Sequence, residues 1–507
     1  MAVAPTRTHV ESFWQSLLPQ KSEKWWNFTL LVVILAGIFF RIMYLQQPAG
    51  NDEAYTWLAF IRKPFFTMIT DYSHPNNHIF HTLLAGISTR VLGASVWTIR
   101  LPAFLAGALM IPAAYLAGRK WYNPPAGLIA AAFIAANPGY LSYSAQARGY
   151  SILTLFTLIM LWLGHGLVKQ FNLGGWILFS IAGILGAYTI PIMLYPLAAI
   201  YIWVFVEMLM ENWKHPQRWK SVLPVVISAL AVILGTILLY LPVIIWGTGV
   251  KSLIANGEVV SQPWQEFTLD LRARLRNTWT EWNSNVSGFF TILTLIGFFA
   301  SLFLHRLVSK NRLHLAVASL FGFAIILYLQ RVAPYTRIWA FALAWFYLVS
   351  AGGLTALVQL LVGRNNLAYL LILTTMAAYP LLEIGVAIQN ATFKDVTAMG
   401  VEEATARYLK QSLEEGEQVM GVLPFNTQVK FYFSLMGDDY ERWFYNTALP
   451  VPFDNAIVMV ATKHDQTLET VIERNHIEDL VDPAEAELIH TYKHVQIYRI
   501  PSNGEVP

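Results

Sequence analysis

The sequence predicts an α-helical protein that crosses a membrane many times and ends in a small soluble α/β domain. Hydrophobic residues make up 56% of the 507-residue chain and charged residues only 13%, which is about half the charged fraction of ordinary soluble domains. The charges are also unevenly distributed. Residues 1–390 hold 25 Lys and Arg against 12 Asp and Glu, whereas residues 391–507 hold 9 against 19. We therefore predict a transmembrane domain over 1–390 and a soluble domain over 391–507.

The composition also excludes several functional classes. The chain has no Cys, so a disulfide framework, a thiolate nucleophile and a Cys–zinc site are all excluded. Its net charge of +3 is too small to indicate a nucleic-acid partner.

About eleven segments have the apolar character of a membrane helix, which needs about 20 largely apolar residues. The predicted spans are Asn27–Tyr44, Val96–Gly118, Gly127–Tyr140, Tyr150–Val168, Gly174–Ile190, Ile192–Met210, Val222–Trp246, Gly288–His305, Leu313–Gln330, Ile338–Leu361 and Leu367–Gln389. Pro and Gly inside some of them are tolerated, because neighbouring groups satisfy the freed backbone atoms.

The Lys and Arg residues of the short loops predict the orientation. With a cytoplasmic N-terminus, every inner loop is short and basic, as the positive-inside rule requires. The bases concerned are Arg119, Lys120, Lys169, Lys214, Arg218, Lys220, Arg306, Lys310, Arg312 and Arg364. We expect a multi-pass protein of the inner (cytoplasmic) membrane with an extracytoplasmic C-terminal domain. The long loops Leu45–Ser95 and Gly247–Ser287 then face outside.

Two of the twelve acids in 1–390, Asp52 and Glu53, stand side by side after the first predicted span. A carboxylate at a membrane surface calls for a structural or functional explanation, because burying its charge without partners is costly. The pair opens an amphipathic stretch, Ala54–Phe60, which predicts an interfacial helix. A general base, a cation ligand and an ordinary solvated loop are the three interpretations of this pair.

A second polar patch covers residues 71–81. His74, His78 and His81 are spaced i, i+4, i+7, so on one helix they would share a face able to bind a metal together with a carboxylate. However, Pro75 favours a helix that begins near His78, which leaves His74 outside it for a hydrogen bond near Asp52. The alternative is simply the polar face of a second interfacial helix, Asn76–Arg90.

Arginines in the predicted outer turns break the positive-inside pattern. Arg148 lies in the turn 140–150, and Arg331 and Arg337 lie in the turn 330–337, beside aromatic residues. Their guanidinium groups are suited to holding a phosphate through paired hydrogen bonds. Three further arginines lie in the second long loop: Arg272, Arg274 and Arg276. For these three, contact with lipid headgroups is as good an interpretation as phosphate binding. The patches together indicate an outward-facing site for a lipid-linked phosphate and an acceptor with a proton to lose.

These motifs resemble the GT-C superfamily of polyprenyl-phosphate-sugar glycosyltransferases. Within it, the similarity is to the branch of protein O-mannosyltransferases, lipid A aminoarabinose transferases and RgtA-like enzymes. An Arg at the end of the first span, an acidic pair and an aromatic residue correspond to Arg41, Asp52, Glu53 and Tyr55. His74-Pro75 corresponds to the next motif, although Asn76 replaces its second Pro. Tyr143–Tyr150 fits a Tyr-Ser-x-x-Ala-Arg-x-Tyr pattern, and Arg331–Arg337 fits a Pro-Arg-Tyr-like turn loosely.

The resemblance implies a GT-C fold and an inverting transfer of a sugar from undecaprenyl or dolichyl phosphate to a hydroxyl of a lipid, glycan or protein acceptor. The catalytic residues that it implies are Asp52 as general base, with Glu53 and His74 positioning the acceptor or supporting Asp52. The substrate-binding residues that it implies are Tyr55, Tyr143, Arg148, Tyr150, Arg331 and Arg337. Metal use varies among such enzymes, so a divalent metal stays an option, with His74, His78 and His81 as weak candidate ligands. Membrane lipids complete the expected partners.

Residues 391–507 alternate predicted helices and strands, which indicates a small α/β domain. The predicted elements are a helix at Thr397–Leu413, strands at Gln418–Leu423 and Ala456–Ala461, a helix at Thr467–Arg474 and a strand at His494–Arg499. Neither a phosphate-binding glycine loop nor a catalytic triad spacing is visible. We expect this domain to cover the active site or to select the acceptor.

Two other functions compete with the enzyme: a transporter or flippase of a lipid-linked sugar, and a non-catalytic scaffold of the same fold. A transporter predicts charged or broken helices near the middle of the membrane, and often an internal repeat. The sequence shows neither feature. An Asp52→Asn substitution separates the enzyme from both alternatives.

Overall fold

The computed structural model describes residues 12–20, 23–214, 216–254, 260–364, 366–391, 400–437 and 439–503. It is mainly helical, with one four-stranded sheet near the C-terminus, and the predicted fold class is confirmed. The helices up to residue 391 are α1 (Phe13–Leu17), α2 (Lys24–Tyr44), α3 (Asn51–Thr56), α4 (Phe65–Thr70), α5 (Ile79–Leu92), α6 (Val96–Trp121), α7 (Pro124–Ala136), α8 (Pro138–Ser144), α9 (Tyr150–Lys169), α10 (Leu173–Thr189), α11 (Leu194–Glu211), α12 (Arg218–Ser221), α13 (Leu223–Trp246), α14 (Gly249–Ile254), α15 (Trp264–Asn283), α16 (Gly288–Leu304), α17 (Leu315–Gln330), α18 (Ala340–Val362) and α19 (Leu367–Ala391).

Ten of the eleven predicted spans each overlap one α-helix, whereas the predicted span Gly127–Tyr140 covers most of α7 and the start of α8. In the described part of the chain, 8 helices are long and apolar enough to cross a membrane. The other three predicted spans correspond to the shorter apolar helices α7, α10 and α17, of 13, 17 and 16 residues. This set of apolar helices supports a multi-pass membrane protein.

The chain forms two compact units. The helical unit comprises Met1–Leu45, Ile69–Leu84 and Arg100–Ala391. The sheet unit comprises Gln46–Met68, Ala85–Ile99 and Thr392–Pro507. A domain boundary near residue 390 stays a prediction, and we note that the sheet unit also takes in two stretches of the first long loop.

The helical unit is built around α7, in which every residue from Pro125 to Ala136 is buried. Helices at its periphery, such as α13 and α16, expose many large apolar side chains, as suits contact with lipid chains. Small residues allow close helix crossings. Gly297 on α16 meets Gly353 on α18, where an added Cβ on either residue would overlap the backbone of the other helix.

The sheet unit contains four helices beyond residue 400: α20 (Val401–Ser412), α21 (Phe425–Leu435), α22 (Tyr440–Trp443) and α23 (Leu468–Arg474). Its strands are β1 (Glu417–Met420), β2 (Asn455–Ala461), β3 (Glu487–Tyr492) and β4 (Val495–Pro501), in the order β1-β2-β4-β3. Strand β1 pairs parallel to β2, and β4 pairs antiparallel to both β2 and β3. The central strand β2 is almost entirely buried, which explains its continuous apolar sequence.

The predicted C-terminal elements are all present, with shifted ends. The first predicted helix is observed as α20, and residues 397–399 of that prediction lie outside the described residues. Helices α21 and α22 and strand β3 were not among the predicted elements. Strand β3 lies at the edge of the sheet and has neither a continuous apolar run nor a regular alternation, while α21 is rich in aromatic residues that favour strands in isolation.

Candidate active site

Arg148 is held in a tight turn between α8 and α9. Asn137 caps α8, because its side-chain oxygen accepts a hydrogen bond from the Tyr140 N–H. After α8 the Arg148 N–H donates to the Gln146 carbonyl at 2.7 Å, and α9 begins at Tyr150. The Arg148 side chain is buried, so its charge is removed from water by the fold itself.

His78 lies against this turn. Its Nδ1 accepts a hydrogen bond from the Gly149 N–H at 2.8 Å, and its Nε2 is 3.4 Å from Arg148 Nη2. The ring also packs edge-on against Tyr150, with centroids 5.2 Å apart. Burial lowers the pKa of His78 well below its ordinary value, and the positive charge of Arg148 adds to this effect. The imidazole is therefore neutral at physiological pH.

Gly149 allows this close approach. An added Cβ would overlap Thr189 Cγ2 and would lie 3.2 Å from His78 Nδ1. The backbone angle φ at Gly149 is −79°, which any residue adopts. The requirement for glycine here is thus one of space and not of conformation.

Arg337 belongs to the same electrostatic neighbourhood. Its positive charge is one cause of the lowered pKa of His78. The same charge acts to lower the pKa of Tyr143, but burial has the larger effect and raises that pKa overall. The Tyr143 and Tyr150 rings are 5.4 Å apart, and the Arg148 guanidinium is 5.7 Å from the Tyr150 ring. The structure therefore brings together four of the residues expected to bind substrate: Tyr143, Arg148, Tyr150 and Arg337.

Helix α15 supports the turn that carries Arg337. The Tyr335 ring contacts the Arg274 guanidinium at 3.6 Å and the Arg337 guanidinium at 5.4 Å. Thr278 also donates a hydrogen bond from its hydroxyl to Thr336 Oγ1 at 3.4 Å. Arg274 thus packs on an aromatic ring of the helical unit, beside Arg337.

Arg331 is placed differently from Arg337. It ends α17 in a left-handed conformation with φ 49°. Its carbonyl accepts a hydrogen bond from the Gln262 N–H at 2.9 Å, and its guanidinium is 5.7 Å from the Trp264 ring. Its described contacts lie with residues 262–264, and its expected role in substrate binding stays a prediction.

The three histidines do not share a helix face. Helix α5 begins at Ile79, so His74 and His78 precede it and only His81 lies within it. His74 Nδ1 accepts a hydrogen bond from the Asn76 N–H at 3.3 Å, and both ring nitrogens of His78 have the neighbours given above. The described residues contain no group of three or more His, Asp and Glu arranged to hold a metal. The interpretation of His74, His78 and His81 as one metal-binding face was therefore wrong.

Arg41 connects the end of the first span to this region. Its Nη1 donates to the carbonyls of Gly37 at 2.9 Å and Ala135 at 3.3 Å, and its Nη2 donates to the Ile134 carbonyl at 3.2 Å. Its Nε donates to Ser144 Oγ at 3.2 Å. Two of these carbonyls end α7, where no helical donor remains for them. Arg41 is fully buried and joins α2, α7 and α8 beneath the Arg148 turn.

The acidic pair lies in the sheet unit. Asp52 and Glu53 occupy the first turn of α3, so the helix expected after the pair is present and begins one residue before it. Glu53 is buried and accepts a hydrogen bond from the Gly50 N–H at 3.4 Å. Asp52 is half-buried. Tyr55 packs against Phe60, with ring centroids 6.1 Å apart. Roles for Asp52, Glu53, His74 and Tyr55 stay predictions.

Sequence reasoning missed the residues of α21 that contact this segment. The Gln428 side chain donates a hydrogen bond to the Ala49 carbonyl, and the Tyr432 hydroxyl accepts one from the Ala49 N–H. The Ser434 hydroxyl accepts a hydrogen bond from the Trp57 indole N–H. The spacing of Gln428 and Tyr432 by four places them on one helix face. No sequence signal singles them out, because polar residues recur along the whole of α21.

The protein has a fold of the GT-C type. Residues 73–246 match the sequence profile of a family described as dolichyl-phosphate-mannose-protein mannosyltransferase. The structure is similar to ArnT from Cupriavidus metallidurans in the apo state, with a TM-score of 0.59 and 11% identity over 95% of this chain and 98% of that one. The same ArnT bound to undecaprenyl phosphate gives a TM-score of 0.46 and 11% identity over 94% and 98%. No curated protein sequence matches this chain.

Proposed function

We propose that the protein is an inverting membrane glycosyltransferase that moves a sugar from a polyprenyl-phosphate donor to an acceptor hydroxyl. The observation that carries the proposal is that the buried Arg148 lies 3.4 Å from His78, and that the charge of Arg337 acts on both His78 and Tyr143. The two arginines come from turns far apart in the sequence, and the first lies inside the segment that matches the mannosyltransferase profile. The GT-C fold supports the same reaction class.

In the proposed reaction, Arg148 and Arg337 bind the donor phosphate and stabilise its charge as the sugar departs. A phosphate ester is already a good leaving group, so electrostatic stabilisation suffices and no general acid is needed. The neutral His78 fixes the Arg148 turn through the Gly149 N–H. The Tyr143 and Tyr150 rings supply an apolar wall beside the two charges.

Asp52 takes the proton of the acceptor hydroxyl as the oxygen attacks the sugar carbon. Of the acidic pair, Glu53 is buried and engaged with the Gly50 N–H, whereas Asp52 is half-buried. This difference favours Asp52 as the base and Glu53 as support for the helix. A carboxylate serves as general base when attack is well advanced before proton transfer.

The proposal also covers location and partners. The basic short loops favour a cytoplasmic-membrane protein whose N-terminus is cytoplasmic and whose reaction takes place on the outer face. The donor is an undecaprenyl or dolichyl phosphate sugar, and the acceptor is a lipid, glycan or protein. The soluble domain then lies on the same outer side.

The test measures release of polyprenyl phosphate from a polyprenyl-phosphate sugar by the purified protein in proteoliposomes made with membrane extract as acceptor source. Asp52→Asn removes the base and is expected to lower the rate about 10²- to 10⁴-fold. Arg148→Lys keeps the charge but loses the planar fork, and we expect a loss of about 10²-fold. Asp465→Asn and Arg276→Lys, at exposed positions, are the matched controls and should retain full activity.

Two results would contradict the proposal. An Asp52→Asn variant as active as the Asp465→Asn control excludes Asp52 as the base. Movement of the lipid-linked sugar across the bilayer without release of polyprenyl phosphate indicates the flippase instead.

A further inference from the structure

We propose that Gln428 and Tyr432 of α21 are positioning residues for Asp52, so that the C-terminal part of the chain holds the catalytic helix in place. The inference rests on the proposed role of Asp52 as the base. It concerns only contacts within the sheet unit, which contains both α3 and α21.

One anchor lies immediately before the acidic pair. The Ala49 N–H donates to the Tyr432 hydroxyl at 2.7 Å, and Gln428 Nε2 donates to the Ala49 carbonyl at 2.7 Å. Both backbone groups of one buried residue are thus satisfied by two side chains one helical turn apart on α21. Ala49 is three residues before Asp52, so fixing its peptide groups fixes the entry of the chain into α3.

A second anchor lies just after α3. The Trp57 indole N–H donates to Ser434 Oγ at 2.8 Å, and Ser434 is also on α21. Beyond it, the Arg62 guanidinium lies 4.8 Å from the Tyr440 ring and 3.7 Å from Glu441. Asp52 therefore stands between two hydrogen-bonded anchors that come from the same helix.

The need for such anchors follows from the length of α3. It has 6 residues and continues directly into a π-helical turn over Trp57–Ile61, so the helical stretch has 11 residues. Isolated helices shorter than about 12 residues are marginal in water. The direction of the Asp52 carboxylate therefore depends on the packing that holds α3. A shift of about 1 Å in a catalytic group lowers a rate about 10²-fold, so small movements of α3 affect the chemical step before they affect donor binding.

The experiment uses the full-length protein and the variants Tyr432→Phe and Gln428→Ala. Tyr445→Phe is the matched control, because Tyr445 is also buried in the sheet unit and its ring belongs to the core around Phe453. Tyr432→Phe removes only the oxygen that accepts the Ala49 N–H bond. We expect kcat to fall about tenfold with the donor KM unchanged, and amide hydrogen exchange over residues 49–56 to rise. Tyr445→Phe should show neither change.

The outcomes separate this inference from the proposed function. If Asp52→Asn is inactive but Tyr432→Phe and Gln428→Ala match Tyr445→Phe in kcat, the positioning role is refuted while the base assignment stands. If Asp52→Asn is fully active, the base assignment fails and the positioning of a catalytic Asp52 fails with it. Unchanged exchange over residues 49–56 in both variants refutes the anchoring by itself, whatever the activity.

Discussion

Gly149→Ala should destabilise the protein through a single identifiable overlap. The added methyl group would overlap Thr189 Cγ2 and press on His78. Overpacking of this kind costs about 1–3 kcal/mol, and a strained Gly149–His78 hydrogen bond adds about 0.5–1.5 kcal/mol. The lower entropy of Ala in the unfolded chain returns about 0.4–1 kcal/mol. The expected net loss is about 0.5–4 kcal/mol in the free energy of unfolding.

Thr189→Ser offers a compensating change, because it removes Cγ2 and keeps the hydroxyl that donates to the Leu185 carbonyl at 2.7 Å. Alone, it should cost about 0.5–1.5 kcal/mol, as for the loss of one buried methyl group. In the double variant Gly149→Ala/Thr189→Ser the methyl group at 149 has room. We expect the double variant to be at least 1 kcal/mol more stable than the sum of the single changes predicts, using the coupling range typical of contacting residues.

The measurement is SDS-induced unfolding in mixed micelles, followed by tryptophan fluorescence, for the wild type, both single variants and the double variant. Additive losses in the double variant would refute the reasoning, because they would mean that Thr189 Cγ2 is not what Gly149 avoids. A neutral Gly149→Ala would refute it as well.

Two further predictions use the same unfolding assay. Arg41→Lys should lower the free energy of unfolding by about 2–4 kcal/mol, because an ammonium group cannot reproduce the planar fork that bonds two α7 carbonyls and Ser144; wild-type stability would contradict the joining role of Arg41. The lowered pKa of His78 means that the unfolded chain binds a proton that the folded chain excludes, so stability should fall as the pH drops below about 6.5 and stay level above it. His78→Gln should reduce that slope between about pH 6.5 and 5, and a slope equal to that of the wild type would show that His78 does not titrate between the two states.

The membrane helices were predictable because their physical cause is local. A run such as Val222–Trp246 is apolar enough to be recognised as a membrane span without knowledge of the helices that pack against it. The strand around Val458 was predictable for the same reason, since a buried strand is continuously apolar. Helix ends were less accurate because caps such as Asn137 act over only one turn.

For the candidate site, the sequence predicted which types of residue take part but not how they are arranged in space. Arginines beside tyrosines in the predicted outer turns favour phosphate binding, and in the structure the charges of Arg148 and Arg337 both act on His78. The shared histidine face was wrong because α5 begins at Ile79, close to the start that Pro75 favours, so that His74 and His78 both precede the helix. The anchoring of Ala49 by Tyr432 could not be predicted, since it joins residues 383 positions apart.

That separation sets an order of events during synthesis. Tyr432 is translated 383 residues after Ala49, which at about 5–20 residues per second is a delay of roughly 20–80 s. For that interval the segment with Asp52 has neither of its α21 anchors. On the role proposed for Asp52, a nascent chain that already holds all its preceding helices thus lacks an anchored base until α21 has been made.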